Sequence, residues 1–422
     1  MIFRHEVRAN ACNEKDFGSG INSTKSRSYS VDVVCGGAAQ SCVSDMAGSS
    51  MSGLFGVPTQ VAVERGLAEF RSGRPVIVTS GKERTLVLPV DGMTDQGLVA
   101  FRQLCTPARP RLLVTARRAR ALGLNAVGPT GLAIGDVHDR AAVFSLAADA
   151  QVTRHLEVAP SGETASAAIE LAKLAQLLPA LLFCEAGTQP AHANEAPLVT
   201  VAADAVAQFR HTAITSVAVV AEAAIPLNGG IPARFVIFRD VLGGTPVAVI
   251  VGQPDLAQPV AVRLHSACLT GDVFGSRRCD CGDQLRLALP QLAQHGGGII
   301  LYLEQEGRGL GLANKIRAYQ LQEAGLDTVD ANTALGFDDD ERDYGVAVRM
   351  LQLLGCTRVR LLTNNPSKLE GLSQAGIDVS GRVPLHGPIN ADNRRYLTAK
   401  AMRAGHKLDH ILGALAEPDG AT

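Results

Sequence analysis

The sequence predicts an α/β (α+β) fold of two domains, each built from a mixed sheet with packed helices. Three observations support this class. The chain has 422 residues, enough for two or three domains of ordinary size. Short apolar runs with strand character alternate with longer segments of helical periodicity. The Pro- and Ala-containing segment 187–197 separates two such series and has the composition of a linker.

Residues 1–55, at the start of the chain, are rich in Ser, Gly and Asn and show no helical or strand period. No charged segment followed by an apolar one is present, so a signal peptide is not expected. We predict a disordered extension here and assign it no function.

The first domain is predicted at residues 56–197. A helical pattern at 61–70 precedes a turn and two apolar strands, at 76–79 and 85–90. Near the end of the domain, residues 163–178 have helical periodicity and lead into an apolar strand at 180–184. These elements alternate as in an α/β layer.

The second domain is predicted at residues 198–415. It contains five apolar segments of strand length and three helical segments, which are distributed among the motifs described below. The predicted strands are 233–239, 246–251, 260–264, 298–303 and 359–362, and the helices are 284–295 and two that begin near 311 and at 366.

Composition excludes several classes of protein. Apolar residues make up 46% of the chain, and the net charge is −1, which gives no long-range field for nucleic acid or an anionic membrane. No apolar run reaches the roughly 18 residues that a membrane helix needs. Aromatic residues are only 4% and Trp is absent, which argues against a base-stacking surface. We expect a cytoplasmic protein that binds neither nucleic acid nor membranes.

Nine cysteines are present, and six of them are scattered singly along the chain. An odd number without a regular framework argues against a secreted disulfide scaffold. In a reducing cytosol, a tight cysteine cluster is more often a metal or catalytic site than a bridge. The isolated cysteines are Cys12, Cys35, Cys42, Cys105, Cys184 and Cys356.

Cys268, Cys279 and Cys281 form such a cluster, with three thiols inside fourteen residues. A structural zinc site normally has four protein ligands, whereas a catalytic site has three and leaves the fourth position to water. No fourth cysteine is close in sequence, so the spacing favours a zinc site that activates water. Core cysteines, a disulfide, and a structural zinc completed by His265 remain alternatives on spacing alone.

The segment 304–311 (EQEGRGLG) lies between a predicted strand and a predicted helix. Its glycines let backbone N–H groups approach a ligand, and the helix start behind them favours anions. Arg308 can add a bidentate phosphate contact. The segment is not a Walker A motif, because it lacks Gly-Lys-Ser/Thr at the required offset. Taken alone, it could equally be an ordinary turn.

The segment 363–368 (TNNPSK) has the same arrangement of strand end, capping residues and helix start. Pro366 suits the first helical position. Lys368 lies in the first turn, where a cation opposes the helix dipole. A bound phosphate explains such a lysine better than the dipole does, although a surface lysine is the simple alternative.

The segment 337–344 (FDDDERDY) places five carboxylates around Arg342. One interpretation is a solvated loop that enters a helix. The other is a magnesium and phosphate region, in which one of the carboxylates acts as an acid or base and the cation lies near developing negative charge.

Taken together, these segments resemble the GTP cyclohydrolase II family. The resemblance covers residues 217–406, and several independent motifs in one order argue against coincidence. The motifs are RLHSACLTGD at 263–272, RCDCG at 278–282, QEGRGLG at 305–311, NKIRAY at 314–319, DERD at 340–343 and LTNNP at 362–366.

The resemblance implies catalytic roles for three residues. Asp340 would be the proton acceptor. Arg342 would be the nucleophile that attacks the α-phosphorus and releases pyrophosphate, an unusual role for a side chain that is normally protonated. Tyr319 would lie near the purine and assist the ring chemistry.

The resemblance also implies the ligands. Cys268, Cys279 and Cys281 would hold one zinc ion per subunit, Mg²⁺ would balance the charge of the GTP phosphates, and the protein would be a homodimer. The residues that would contact GTP come from the same motifs and their neighbours: Arg263, Leu264, His265, Ser266, Ala267, Gln284, Glu306, Gly307, Arg308, Thr328, Thr363 and Lys368.

The implied reaction is the first step of riboflavin biosynthesis. Activated water would attack carbon 8 of guanine, the imidazole ring would open, and a second hydrolysis would expel this carbon as formate. The products would be 2,5-diamino-6-ribosylamino-4(3H)-pyrimidinone 5′-phosphate, formate and pyrophosphate. Ala267 departs from the family, because many relatives have Glu beside the first zinc ligand. The loss of that carboxylate would change the nucleotide contacts, but it leaves the thiols, Asp340, Arg342 and Tyr319 in place.

The first domain more faintly resembles 3,4-dihydroxy-2-butanone 4-phosphate synthase, at GRPVIV (73–78) and at 162–185. The synthase needs an acidic, magnesium-binding loop after its first strand, and the corresponding segment here is TSGKER (79–84). The Gly-His-Thr of the synthase is replaced by Gly162-Glu163-Thr164. We therefore predict a degenerate domain, inactive as a synthase and retained for packing, dimerisation or regulation.

Two alternatives to a cyclohydrolase stay open at this point. A paralogue could act on GTP in another pathway or stop at a formylated intermediate, and Tyr319 argues against early stopping. A non-catalytic GTP-binding regulatory subunit is the other alternative. The intact thiols, Asp340 and Arg342 argue against it.

Overall fold

The computed structural model describes residues 54–135, 139–150, 152, 156–186, 198–405 and 408. Apart from residues 54 and 55, the predicted extension at 1–55 lies outside the described residues, as does the predicted linker at 187–197. Both sheets belong to one compact unit, residues 52–422.

In the described part of the chain, the first sheet has seven strands, and helix α1 (Pro58–Arg71) precedes it. Neighbouring strands are antiparallel except for one parallel pair, β1 with β7. The order across the sheet is β5-β4-β3-β6-β2-β1-β7. The strands are β1 (Val76–Ser80), β2 (Glu83–Pro89), β3 (Arg111–Val114), β4 (Thr130–Ala133), β5 (Glu157–Ala159), β6 (Ala180–Glu185) and β7 (Thr200–Ala202).

In the first half of the chain, by which we mean the described residues up to Ser216, three helices begin at a polar residue that caps a free backbone N–H group. Thr94, Thr115 and Asp139 each accept a hydrogen bond from the first turn of the helix that follows. The helices are α2 (Asp95–Cys105), α3 (Ala116–Ala121), α4 (Arg140–Ala148), α5 (Ala165–Leu174) and α6 (Ala203–Ser216).

The first sheet is buried on both faces. Alternation along a strand sends Val76 and Val78 to a core shared with α1, α5 and α6, while Ile77 points to the opposite core. The strands predicted at 76–79, 85–90 and 180–184 are confirmed to within two residues. Strand β7 and helix α6 follow residue 198, where the sequence predicts the second domain. They nevertheless belong to the first sheet, because β7 bonds to β1.

The second sheet also has seven strands in the described residues, in the order β14-β13-β11-β12-β10-β9-β8. Strands β14, β13, β11 and β12 are mutually parallel, and the other pairs are antiparallel. Both sheets are therefore mixed, which confirms the predicted fold class. The strands are β8 (Ala218–Ala224), β9 (Ala233–Arg239), β10 (Val247–Gly252), β11 (Val260–Ser266), β12 (Gly297–Leu303), β13 (Arg358–Leu362) and β14 (Asp378–Val383).

Helices cover both faces of the second sheet. Val262 and Leu301 pack with one set of helices, and Ala261 and Ile300 pack with the other. The helices are α7 (Leu269–Asp272), α8 (Cys281–Gln294), α9 (Leu312–Glu323), α10 (Thr328–Ala334), α11 (Gly345–Leu353), α12 (Pro366–Gln374) and α13 (Arg394–Ala404). Of the helices in the described ranges, none has the length and apolar character that a membrane span requires.

One hydrophobic core contains residues of the first sheet layer and residues that connect strands of the second sheet. Leu310, Leu335 and Phe337, which lie between β12 and α11, are each 1% exposed and pack with Leu112 and Leu146 of the first sheet layer. The segment 310–337 of the second half therefore packs against the first half.

Candidate metal and nucleotide site

Three parallel strands of the second sheet bring the predicted motifs to one edge. Strands β11, β12 and β13 run in the same direction, so their carboxyl ends meet. Cys268 follows β11, a short turn at Glu306–Gly309 follows β12, and Thr363 follows β13. Ligands in open α/β sheets bind at this edge.

The three predicted metal ligands converge. The sulfur atoms of Cys268, Cys279 and Cys281 lie within 4.8 Å of one another, and those of Cys268 and Cys279 are 3.7 Å apart. A tetrahedral zinc ion with bonds of about 2.3 Å to sulfur places two thiolates roughly 3.8 Å apart. The arrangement therefore fits zinc. Within the described residues, no other group of three or more His, Cys, Asp or Glu side chains is so disposed.

The geometry bears on the alternatives for the cysteines. All three are free thiols, which argues against a disulfide. His265 does not join them, because its Nε2 lies 3.0 Å from both carboxylate oxygens of Asp272. Burial lowers the pKa of His265, although the hydrogen bond to Asp272 opposes this effect, so the ring is neutral at ordinary pH. Three thiols and no fourth ligand are the donor set of a catalytic zinc site.

Asp272 fixes the loop that carries the first thiol. Its carboxylate accepts hydrogen bonds from the backbone N–H of Cys268 and from the hydroxyl of Tyr302, each at 3.0 Å. Gly271 lies next to it, and a Cβ atom there would come within 2.9 Å of the Cys279 sulfur and 3.1 Å of the Cys268 sulfur. A side chain at position 271 would therefore occupy the space between the thiols.

Lys315, a residue of the NKIRAY motif to which the sequence assigns no role, contacts the cluster. Its ammonium donates to the Cys268 sulfur at 3.2 Å, to Thr270 Oγ1 at 2.9 Å and to Glu306 Oε1 at 2.8 Å. Hydrogen bonds from Cys279 and Cys281 and the charge of Lys315 lower the pKa of Cys268. A thiolate at Cys268 is therefore favoured even before a metal binds.

The thiols open into a cavity that we call the thiol pocket. The side chain of Tyr319 forms part of its wall, and burial raises the pKa of that phenol, which stays protonated. The predicted residues that line this pocket are Ser266, Ala267, Cys268, Cys279, Cys281, Glu306, Gly307, Arg308, Tyr319, Thr328 and Arg342.

A second cavity adjoins the first, and five cationic side chains line it. We call it the cationic chamber, and its cations are Arg263, Arg308, Arg342, Lys368 and Lys400. His265, Ser266, Gln284 and Thr363 complete the predicted residues in its wall. The two cavities have Ser266, Cys281, Arg308 and Arg342 in common, so they form one continuous site. Several cations around one space are typical of a polyphosphate site.

Buried polar groups in the chamber lack protein partners. The Nε of Arg263 and the hydroxyl of Ser266 are buried without a hydrogen bond. Lys368 is 5% exposed, and its ammonium donates to the neutral carbonyl oxygen of Leu264 at 2.7 Å. Burial, together with the charges of Arg263 and Arg342, lowers the pKa of Lys368 well below its usual value. An anionic ligand would satisfy these groups.

Arg308 adopts a strained backbone conformation at this site. Its φ of 65° is in the left-handed region, which non-glycine residues rarely occupy. The conformation turns its side chain toward both cavities. The guanidinium also donates to the carbonyl oxygen of Asp339 at 3.2 Å, which ties the 306–309 turn to the acidic segment.

Asp340 and Arg342 form a close pair at the edge of the chamber. The Nε and the backbone N–H of Arg342 donate to the same Asp340 oxygen, at 2.7 and 3.1 Å. Burial would raise the pKa of Asp340, but Arg342 outweighs it and the pKa is lowered. Burial would likewise lower the pKa of Arg342, but Asp340 raises it. Both groups are therefore ionised. Arg342 lines both cavities, whereas Asp340 lines the outer rim behind it.

The remaining predicted residues differ in which of their polar atoms are available to a ligand. Leu264 has a fully buried side chain and offers only its carbonyl oxygen, which Lys368 already uses. The side-chain oxygen of Gln284 accepts a hydrogen bond from Arg263. Lys400 and Tyr396 of α13 line the chamber but are not predicted, because nothing in their local sequence marks them.

The first sheet contains the predicted remnant of a synthase site. The carboxylate of Glu83 accepts hydrogen bonds from the backbone N–H groups of Glu163 and Thr164, at 2.8 and 3.2 Å, and from the Thr164 hydroxyl at 2.7 Å. The two degenerate segments therefore do meet. A carboxylate of the chain itself occupies the anion position at the start of α5. Nearby, Cys105 and Cys184 form a disulfide, which the sequence did not predict.

Comparisons with known proteins agree on one family. The family model of GTP cyclohydrolase II matches residues 218–384. The GTP cyclohydrolase-2 of Xylella fastidiosa (strain 9a5c) is 42% identical over 359 residues, which are 84% of this chain and 89% of that protein. The GTP cyclohydrolase-2 of Azospirillum brasilense is 42% identical over 360 residues, 82% of this chain and 93% of that protein.

Two further relatives have other names. The riboflavin biosynthesis protein RibBA of Bacillus mycoides (strain KBAB4) is 54% identical over 163 residues, 39% of this chain and 41% of that protein. A solved structure of RibBX, a two-domain 3,4-dihydroxy-2-butanone 4-phosphate synthase from A. baumannii, shares 16% identity at a TM-score of 0.30. It covers 77% of this chain and 99% of its own.

Proposed function

The chain belongs to the GTP cyclohydrolase II family, a family of hydrolases with a role in riboflavin biosynthesis, and we propose that the thiol pocket and cationic chamber are its GTP site. The reaction is hydrolysis of GTP to 2,5-diamino-6-ribosylamino-4(3H)-pyrimidinone 5′-phosphate, formate and pyrophosphate. We further propose Mg²⁺ with the GTP phosphates, a homodimer and a cytoplasmic location, which follow from the family alone.

In this proposal Cys268, Cys279 and Cys281 hold zinc, as the separation of their sulfur atoms supports. Bound there, zinc supplies a Lewis acid that activates water for attack on carbon 8 of guanine. The protein contributes the pocket that receives the guanine ring. Tyr319 lies in its wall as a protonated phenol and can donate a hydrogen bond to the opening ring.

The cationic chamber binds the triphosphate in this proposal. Arg263 and Lys368 contribute buried positive charge at one end, and Arg308 and Arg342 contribute it where the chamber meets the thiol pocket. A phosphate group offers an acceptor to the Ser266 hydroxyl and to Arg263, which have unsatisfied atoms. Binding of an anion also favours the protonated form of Lys368.

Asp340 and Arg342 act on the α-phosphate in this proposal. As a cation, Arg342 stabilises negative charge on the phosphoryl oxygens. Its raised pKa means that a nucleophilic role requires removal of a proton, and Asp340, which is bonded to it directly, is the group that can accept this proton.

One observation supports the proposal more than any other: the chamber lined by five cations opens directly onto three convergent thiols. A triphosphate and a base joined by a ribose span two such compartments. A purely structural zinc site would not require an adjoining cavity lined by cations.

Purified protein incubated with GTP and Mg²⁺ tests the proposal, with formate, pyrophosphate and the pyrimidine product quantified together. We expect all three in equal amounts. Cys281→Ser should lose zinc and formate release, because two thiolates hold zinc more weakly than three. The matched control is Cys356→Ala, which removes a free buried thiol far from the site in sequence. Full formate release by Cys281→Ser would contradict the zinc assignment.

The assay also tests the alternatives. A non-catalytic GTP-binding subunit would bind GTP but release neither formate nor pyrophosphate. An enzyme that stops early would release pyrophosphate and accumulate a formylated product. Either outcome would reject the proposed reaction while leaving the site as a GTP site.

A further inference from the structure

The loop that carries Asp340 and Arg342 lies against the first sheet layer. We call residues 337–343 the acidic loop. Its first residue, Phe337, is buried in the core that both halves share. The acidic loop is therefore not an independent surface loop of the second half, and its conformation depends on the residues of the first half that face it.

Hydrogen bonds to two backbone carbonyl oxygens fix the entry to the acidic loop. Thr115 Oγ1 donates to the carbonyl oxygen of Gly336 at 2.7 Å, and Arg118 donates to that of Ala334 at 2.8 Å. Gly336 has a φ of 85°, and a Cβ atom there would lie 2.9 Å from Thr115 Oγ1. The two halves thus approach so closely at this point that only glycine fits.

A salt bridge then fixes the middle of the loop. Lys173, in the last turn of α5, donates to Glu341 Oε1 at 2.6 Å. The two side chains are only 14% and 11% exposed. The same Glu341 oxygen accepts a hydrogen bond from the backbone N–H of Asp338 at 2.9 Å. Glu341 Oε1 therefore accepts two hydrogen bonds. The bond from Asp338 stabilises the turn within the loop, and the bond from Lys173 connects that turn to the first half.

The third link leads from Glu341 to the reacting groups. Its backbone N–H donates to the carbonyl oxygen of Arg308 at 3.0 Å. Glu341 lies between Asp340 and Arg342 in the sequence, so a change in its position moves both neighbours. Lys173 contacts the acidic loop, but it lines neither the thiol pocket nor the cationic chamber.

We propose that Lys173 of the first half is a positioning residue for the reaction of the second half. Through Glu341 it fixes the acidic loop and thereby the placement of Asp340 and Arg342. The proposal rests on the proposed function where it uses formate and pyrophosphate release as a readout. In this proposal the first half contributes to the reaction of the second half indirectly, by positioning its reacting groups.

The energetics distinguish Lys173 from the neighbouring cations. Without Lys173, the largely buried carboxylate of Glu341 has lost its charge partner, so the loop must move to hydrate it. Arg117 pairs with Asp338 at 2.9 Å, but those side chains are 37% and 53% exposed, and exposed pairs contribute little. Arg117 therefore cannot replace Lys173.

The test compares Lys173→Met with Lys173→Arg in the full chain. We expect Lys173→Met to lower kcat at least about tenfold, because small displacements of reacting groups have large effects on rate. The KM for GTP should change less than kcat, and zinc content should stay the same. Lys173→Arg should restore most of kcat, since it keeps the charge. The matched control is Arg74→Met, which breaks an exposed ion pair of the same half.

A double variant and amide exchange separate positioning from loss of fold. Lys173→Met combined with Glu341→Gln should be no slower than Lys173→Met alone, because the two residues act through one contact. Amide hydrogens of the acidic loop should exchange faster in Lys173→Met, while those of β11 and β12 are unchanged.

The outcomes are distinct. A wild-type protein that releases no formate rejects the proposed function, and the exchange experiment then decides the role of Lys173 without an activity assay. An active wild type whose Lys173→Met variant keeps kcat within about twofold overturns the positioning role, as does unchanged exchange in the acidic loop.

Discussion

At the scale of a single residue, Lys368 of the proposed GTP site is buried where its charge is unfavourable in the free protein. Its ammonium is buried beside Arg263 and Arg342, and burial and these charges lower its pKa. A residue placed so unfavourably in the free protein acquires its partner from the ligand. The sequence indicated this lysine by its position at a helix start, where its charge opposes the dipole.

Lys368→Met should therefore raise the thermal stability of the ligand-free protein and weaken GTP binding at least about tenfold. Since the folded state holds the proton of Lys368 less tightly than the unfolded state does, the stability of the wild type rises with pH between the lowered pKa and 10.5. The variant lacks this component. Thermal melts across alkaline pH measure it, and titration with GTP measures binding.

The exposed Lys82→Met is the matched control, and it should change neither the melting curve nor GTP affinity. A Lys368→Met protein that is less stable than wild type without GTP would contradict the argument, because it would mean that the buried lysine stabilises the fold.

Some residues of the site could be predicted from the sequence and others could not. The three cysteines, Lys368 and Arg308 could be selected because their types and spacing have a chemical meaning. Lys315 could not, because its contact with the Cys268 sulfur depends on the packing of α9 over β11. The same holds for Lys400, which reaches the chamber from a helix more than a hundred residues away from the thiols in sequence.

At the scale of elements, helix α5 connects the two halves. Glu83 accepts hydrogen bonds from the backbone at its start, and Lys173 reaches the acidic loop from its last turn. Carboxylates at the start of a helix and cations at its end also match the helix dipole. The segments that the sequence predicts to be a degenerate synthase site thus hold the start of a helix whose last turn contacts the acidic loop.

Glu83→Gln should destabilise the protein by about 1 kcal/mol near neutral pH, because a charged acceptor is replaced by a neutral one at a partly exposed position. Burial opposes the shift, but hydrogen bonds from Glu163 and Thr164 lower the pKa of Glu83 below 4.5. Its stabilisation is therefore present above pH 4.5 and lost as the pH falls through the lowered value.

Urea unfolding at neutral and acidic pH measures both parts of this prediction. The difference between wild type and Glu83→Gln should shrink toward zero in acid. Glu222→Gln, which changes an exposed carboxylate of the second sheet, is the control. A difference that grows in acid would contradict the assigned direction of the pKa shift.

Strand β8, a largely apolar run of seven residues, is not predicted from the sequence. The other strands of five to seven largely apolar residues are predictable. The strands at β1, β2, β6 and β9 to β13 are of this kind. Strands β4, β5 and β7 have only three or four residues, and their pairing is decided by distant partners. Strand β7 was assigned to the wrong half for this reason: its pairing with β1 joins residues that are more than a hundred positions apart.

At the scale of the whole molecule, the core that the first sheet layer shares with Leu310, Leu335 and Phe337 places both halves in one compact unit. The sequence predicts two domains joined by a linker and does not specify what the first half contributes. The shared core is not predictable from the sequence, because Leu310 and Phe337 belong to segments whose polar residues already have a functional explanation, and Leu335 lies outside every motif. The sequence around these apolar side chains does not indicate that they pack against the first sheet layer.

Removal of the first half, leaving residues 217–422, should therefore give a protein that aggregates or releases formate far more slowly than the full chain. The deletion exposes large apolar side chains and removes Thr115, Arg118 and Lys173 together. Size-exclusion chromatography, circular dichroism and the formate assay measure the outcome. A monodisperse fragment with the full rate would show that the first half contributes nothing to the site.

The shared core also constrains how the gene can change. A domain that has lost its own catalytic residues can ordinarily be deleted in one event, and the remaining protein survives. Here a single deletion would expose Leu310, Leu335 and Phe337 at once. Polar replacements at those positions would have to come first, and each would weaken the intact protein. We therefore expect the first half to be retained because of the order in which mutations would have to occur, whether or not it has chemistry of its own.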